Sequence, residues 1–278
     1  MKRTLTCSLV VGLIVLVGCS SQAPEPQPQA KPAPELSLLP TANAEDANWG
    51  TVKGRIVWGG DAIPERKPLN VDVDKDHCLA KGALLGEDWV VNPKNKGVKW
   101  TFVWLDVAPK VKDKLPIHPD LKEIKDKQVT MDQPMCAFEP RAVAVREGQE
   151  LVVKNSAPVA HNVNYRGLLN AGGNFLIPAK GQYVIKDLVT DRLPLTVECN
   201  IHKWMKGRIL VLPHPYFAVT DADGNFEIKN APAGEWYLKV YHDSIGWRGG
   251  AAGRNGEKIN IKGGGTTDVG NLEVKPAS

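Results

Sequence analysis

Apolar and polar positions alternate along most of the chain after Trp49. "TVKGRIVW" (Thr51 to Trp58), "GVKWTFVWLDV" (Gly97 to Val107) and "RAVAVREGQELVVKN" (Arg141 to Asn155) are rich in β-branched and aromatic residues, with glycine and proline between them. That pattern predicts strands. The one stretch with helical character is "DLKEIKDK" (Asp120 to Lys127), which is short and heavily charged. An all-β fold follows. Leu195, Val197 and Cys199 in "LPLTVEC" share a parity, so on a strand the thiol points to the same face as two core residues.

The amino terminus departs from this pattern. Lys2 and Arg3 precede a short apolar run, Leu5 to Val17, which ends in "LVGC" (Leu16 to Cys19). The run falls short of the about 20 residues that span a bilayer. It reads as a secretory signal over residues 1–18. The small residues before Cys19 resemble a bacterial lipobox, which makes Cys19 the lipid-bearing first residue of the mature chain; a signal peptide cut elsewhere is the alternative. Ser20, rather than an aspartate, follows Cys19, and in the Gram-negative sorting pattern this favours the outer membrane, facing the periplasm or the cell surface. Residues 19–48 are rich in Pro, Ala and Gln, too poor in apolar residues to fold, and read as a semi-extended tether. Losing Lys2 and Arg3 with the signal lowers the formal charge from +4 to +2. That small, dispersed charge excludes nucleic acid as a partner.

The chemistry lies in "VECNIHKWMKGRILVL" (Val197 to Leu212), where Cys199, His202 and Met205 fall within seven residues. His202 lies in the turn after one strand, and Met205 closes that turn before "RILVL" departs as the next. His161, in "NSAPVAHNV", follows a strand ending in "LVVKN" and supplies a fourth candidate. One cysteine, two histidines and a methionine form the donor set of a type 1 copper centre, with thiolate and imidazoles in a plane and the thioether as a weak axial ligand. Structural zinc sites have no use for methionine. Taken singly, each residue has another reading: Cys199 as half of a disulfide, Met205 as core, His161 as a loop histidine bonded to backbone.

These residues resemble the cupredoxins, the amicyanin type most of all, whose short loop carries Cys-x-x-His-x-x-Met. "KGRILVL" is similar to the strand behind that loop, and "HNV" at His161 to Val163 to the upstream ligand segment. The resemblance covers about Gln128 to Leu212 and implies one copper ion held by His161, Cys199, His202 and Met205. It also implies that Asn162 ties the two ligand loops together, and that the histidine of the loop, His202, reaches the surface. Ile201 and Lys203 depart from the family, which places prolines there, and Lys203 sets a positive charge beside a ligand. Trp204, between two ligands, is placed either to shield the metal or simply to pack.

From Tyr216 the chain reads "YFAVTDADGNFEIKNAPAGEWYLKVYH", which resembles the carboxypeptidase regulatory-like module, a transthyretin-like sandwich. The two strands that open that module stand about a hundred residues too early, as "GTVKGRIVWGG" and "KWTFVWLDV". This resemblance implies a cupredoxin Greek-key sandwich inserted in, or packed beside, a regulatory-like β-sandwich. Residues 49–107 form the first part of the outer sandwich, 108–212 the cupredoxin, and 213–278 the second part. Composite exported proteins of this kind are expected to carry a histidine where Arg141 stands. "DADGN" (Asp221 to Asn225) opens like a calcium loop but lacks the later glycine and glutamate of one, and reads as a hairpin turn.

Five cysteines complete the picture. Cys7 leaves with the signal, Cys19 takes the lipid, and Cys199 is needed as a thiolate. Cys78 and Cys136 remain, and an oxidising compartment allows them to pair. Such a bridge contributes up to roughly 4 kcal/mol on the chain-entropy model; the alternative is that both are free and buried. His77, His118, His214 and His242 are scattered and read as surface or turn residues. No nucleophile elbow, P-loop or His-Cys-His motif is present. The expectation is therefore a lipid-anchored electron carrier with one type 1 copper and an unidentified redox partner, and not an enzyme. The alternatives are a copper store or delivery protein, and a surface interaction module built on the regulatory-like sandwich.

Overall fold

The computed structural model describes residues 46–276; the signal peptide, Cys19 and most of the tether lie outside the described residues. The fold is all-β. Strands β1 (Trp49–Trp58) and β2 (Phe102–Asp106) come first, separated by a long irregular segment that holds one helical turn, α1 (Lys75–Cys78). Eight strands follow: β3 (Gln128–Met131), β4 (Ala142–Arg146), β5 (Glu150–Lys154), β6 (His161–Arg166), β7 (Gly173–Ile177), β8 (Gln182–Ile185), β9 (Leu195–Glu198) and β10 (Lys206–Leu212). The chain ends with β11 (Phe217–Val219), β12 (Asn225–Pro232), β13 (Gly234–His242), β14 (Gly246–Trp247), β15 (Glu257–Ile261) and β16 (Thr266–Val274). Among the described residues no helix is long and apolar enough to cross a membrane.

Strand pairing separates the chain into an outer and an inner set. The outer sheets run β12-β1-β16 and β11-β2-β13-β14, with β15 added to β13. The inner sheets run β4-β10-β9-β6-β7 and β3-β5-β8. Strands β1 and β2 therefore find their sheet partners only among strands after the inner set.

Side-chain alternation sends each face to its own core. Val52, Ile56, Val103, Leu105, Ile228, Leu238 and Val240 fill the space between the outer sheets. Val143, Val145, Leu151, Val153, Val163, Leu195, Val197, Ile209 and Val211 fill the inner one. A third cluster joins the two sandwiches: Phe102, Trp104 and Tyr241 from outer strands meet Ala142, Leu210 and Leu212 from inner ones. Fully burying one such aliphatic or aromatic side chain is worth roughly 1.5–3 kcal/mol, so a face of six holds the sandwiches firmly together. The irregular segment after β1 also crosses over, because Val71 and Cys78 pack into the inner core.

Two local expectations are corrected. Only Pro119–Leu121 of the charged stretch coils, as a 3-10 turn, and no helix spans Asp120 to Lys127. With so few residues, and only Leu121 and Ile124 to pack, the stretch cannot offset the cost of nucleating a helix. The "DADGN" turn links β11 to β12, which lie in different sheets, so it is no hairpin. The Asp221 carboxylate accepts from the amides of Asp223 (2.9 Å) and Asn225 (2.8 Å), and the Asp223 carboxylate from the side-chain amides of Asn92 (2.6 Å) and Asn95 (2.7 Å). Gly224 closes the turn with φ +77°, where a side chain would also strike the Ile56 carbonyl.

His214 and His242 are buried rather than at the surface. His242 stacks on Trp89 with ring centroids 4.3 Å apart, and His214 Nδ1 accepts from the Tyr216 amide at 3.2 Å. Burial pushes both imidazoles down to about 4. The folded protein keeps them neutral while the unfolded chain takes up protons below the ordinary value near 6.5. Stability is therefore full above pH 6.5 and lost as pH falls from there toward 4. Thermal melts of the metal-free protein should show the melting temperature falling across that window, and less steeply when His242 is replaced by Phe.

Candidate metal centre

Three side chains converge at one end of the inner sandwich. Cys199 follows β9, whose burial alternates residue by residue, and the parity that buries Leu195 and Val197 buries the thiol as well. His202 lies in the turn beyond it. The turn is closed by two backbone bonds, Met205 N to His202 O (2.8 Å) and Cys199 N to Met205 O (3.3 Å). His161 opens β6, two strands along the same sheet from β10. Cys199 Sγ lies 3.9 Å from His161 Nδ1 and 3.8 Å from His202 Nδ1. The donor atoms of all three lie within 4.8 Å of one another, and all three residues are buried. Met205 is buried in the same inner core.

Asn162 stitches the two ligand segments. Its Oδ1 accepts from the amides of Asn200 (2.7 Å) and Ile201 (3.3 Å) and lies 3.3 Å from Cys199 Sγ. Its own amide faces the sulfur at 3.5 Å, and the His202 amide does so at 3.4 Å. The sulfur is thus held by contacts from both ligand segments. The Asn162 side chain is itself held by Asn174 Oδ1 at 2.7 Å.

The histidines are neutral at physiological pH, because burial lowers His161 to about 4 and also lowers His202. Neutral imidazoles keep a lone pair for a metal. Their far nitrogens differ. Among the described residues His161 Nε2 is buried without a hydrogen-bond partner, whereas His202 Nε2 meets Asp74 Oδ2 at 2.9 Å. His202 is completely buried, and so does not reach the surface as the family resemblance implied. The segment around α1 covers it, pinned by the disulfide between Cys78 and Cys136. Trp204 stands edge-on to His202 at 5.2 Å, and its Nε1 donates to the Cys136 carbonyl at 3.1 Å.

The other residues singled out in the sequence lie elsewhere. Arg141 is buried in an ion pair with Asp243 (2.9 Å) that also faces Asp88 (3.6 Å). His77 Nε2 contacts the Pro134 carbonyl at 3.1 Å, and His118 caps the 3-10 turn. Two residues that shape the centre carried no sequence signal. Asp74 is separated from His202 by most of the inner sandwich in sequence. Asn155 reads as an ordinary loop residue, yet its Nδ2 bonds the Val159 (2.8 Å) and Ile177 (3.0 Å) carbonyls and so fixes the approach to His161.

No family model matches the chain, and no curated protein matches it. Solved structures of amicyanin do. A reduced Cu(I) form of one amicyanin mutant at pH 4 is 17% identical, covers 32% of this chain and 87% of its own, and gives a TM-score of 0.28. An oxidised form of another mutant is 18% identical over 36% of this chain and 100% of its own, again at 0.28. A Cu(I) form of a third covers 40% of this chain and 98% of its own at 15% identity, with the same score. The likeness takes in a minority of the chain, and the residue assignments rest on the geometry above.

Asn162→Ala should destabilise the metal-free protein by about 1–3 kcal/mol, because it strands two loop amides on a partly buried turn. Urea unfolding measures this. A change under a few tenths of a kcal/mol would mean that the ligand segments do not depend on Asn162.

Proposed function

We propose that this protein is a mononuclear type 1 copper protein that carries single electrons outside the cytoplasm, anchored to a membrane by a lipid on Cys19. One observation supports it above the others: a thiol and two neutral imidazoles, buried at one strand's start and in the turn between two others, bring their donor atoms together. Bound copper supplies a one-electron Cu(I)/Cu(II) couple there. His161, Cys199 and His202 are the proposed principal ligands, with Met205 as the weak fourth. A soft thiolate and thioether suit the reduced ion and imidazoles suit the oxidised one, so one fixed donor set serves both. Strand-rooted ligands and the Asn162 bonds limit rearrangement between the two states, and burial keeps water from adding as a ligand. The outer sandwich serves as scaffold or docking platform toward a redox partner protein, and the chain has no catalytic activity of its own.

Loading purified protein with Cu(II) should give one copper per chain, an intense blue or green thiolate-to-copper band and a reversible voltammetric couple. Cys199→Ser should lose the band even where copper still binds. A colourless wild-type protein at full occupancy would sink the type 1 assignment, and several Cu(I) ions per chain would point instead to storage or delivery.

Anchoring is tested separately. Cys19→Ala should move the protein from the membrane fraction to the soluble fraction, since one lipid-bearing cysteine is the proposed attachment. Persistent membrane association of that variant would refute the lipid anchor.

A further inference from the structure

The contact between Asp74 and His202 has features that packing alone does not supply. Asp74 sits at the N-cap of α1, where an aspartate ordinarily turns its carboxylate to the helix amides. It makes no such bond. Its carbonyl accepts from the amides of His77 (3.1 Å) and Cys78 (2.8 Å), as the residue that opens a helical turn ordinarily does, while the backbone adopts a left-handed conformation at φ 47°. That conformation is uncommon for a residue with a side chain. The carboxylate instead reaches across to the inner sandwich and meets His202 Nε2 at 2.9 Å.

The surroundings hold the contact in place. The disulfide to Cys136 anchors the last residue of α1, and the sulfurs of Cys78 and Cys136 both lie within 4.8 Å of a His202 ring nitrogen. Trp204 borders another edge of the ring, and the His161 ring lies 4.4 Å away. Among the described residues, His202 therefore has one polar contact on its outer nitrogen, the Asp74 carboxylate. A carboxylate there requires Nε2 to carry the hydrogen, which leaves the Nδ1 lone pair directed at Cys199 Sγ. His161 has no equivalent partner on its Nε2.

We propose that Asp74 is a positioning residue for the metal centre, fixing the His202 tautomer and placing a negative charge behind that one imidazole. The proposal rests on the copper reading above. A carboxylate hydrogen-bonded to a ligating imidazole makes it a stronger donor and orients the ring, an effect commonly worth 10–100-fold in metal affinity. The negative charge also favours the more positive, oxidised ion. The two histidines are thus inequivalent, and the difference is set by a segment that belongs in sequence to the outer sandwich.

The test uses the full chain with Asp74→Asn and Asp74→Ala, in metal-free and copper-loaded forms. Nitrogen NMR of the metal-free wild type should show His202 as a single tautomer protonated on Nε2. Asp74→Asn, whose amide oxygen still accepts, should keep that tautomer, and Asp74→Ala should give a mixture. In the loaded protein both variants should lose about tenfold of the preference for Cu(II) over Cu(I), a rise of about 59 mV in midpoint potential for a one-electron couple. An unchanged tautomer in Asp74→Ala, or unchanged potentials in both variants, would overturn the proposal. A wild type without the charge-transfer band would instead overturn the copper reading, and the metal-free tautomers would still decide whether Asp74 orders His202.

Discussion

Strand β10 carries the constraint on which the rest of the molecule depends, because its successive side chains belong to different cores. Ile209 and Val211 face the inner core, while Leu210 and Leu212 face Phe102, Trp104 and Tyr241 of the outer sandwich. The strand also departs directly from Met205, so the turn that bears Cys199 and His202 is rooted in a segment packed on two sides. Cavity formation on either face would shift the strand that positions the ligand turn. The rigidity the centre needs is thus supplied by hydrophobic packing on both faces of one strand, and the hydrogen bonds around Asn162 refine a position already set.

Burial then determines the electrostatic character of the site. Desolvation keeps both imidazoles neutral, and the amides of Asn162 and His202 face the Cys199 sulfur. The donor set is therefore prepared for a cation without a large rearrangement. The layer outside the three donor atoms is equally closed: a carboxylate, a tryptophan and a disulfide border His202.

Much of this was legible in the sequence, and for identifiable reasons. Alternation exposed the strands, because a half-buried strand has to write its two faces into successive residues. The nearness of Cys199 and His202 was visible because a tight turn keeps residues that are close in sequence close in space. The pairing of Cys78 with Cys136 came from a count of cysteines. Asp74 was invisible because its contact joins segments distant in sequence and uses the commonest kind of surface residue. The burial of His202 was missed for the same reason, since the covering segment contains no regular element beyond one helical turn. His214 and His242 were misplaced because a lone histidine in a turn does not reveal whether aromatic neighbours fold over it.

The pairing of β1 and β2 with strands that follow β10 bears on synthesis of the chain. A chain that has emerged, amino terminus first, as far as Leu212 already holds every strand of the inner sheets. At that stage β1 and β2 still have open edges, because β11, β12, β13 and β16 are not yet made. Unpaired apolar edges recruit other chains. The outer sandwich thus passes through an interval of exposure that the inner one escapes, and that interval ends only with β16, the last strand to emerge.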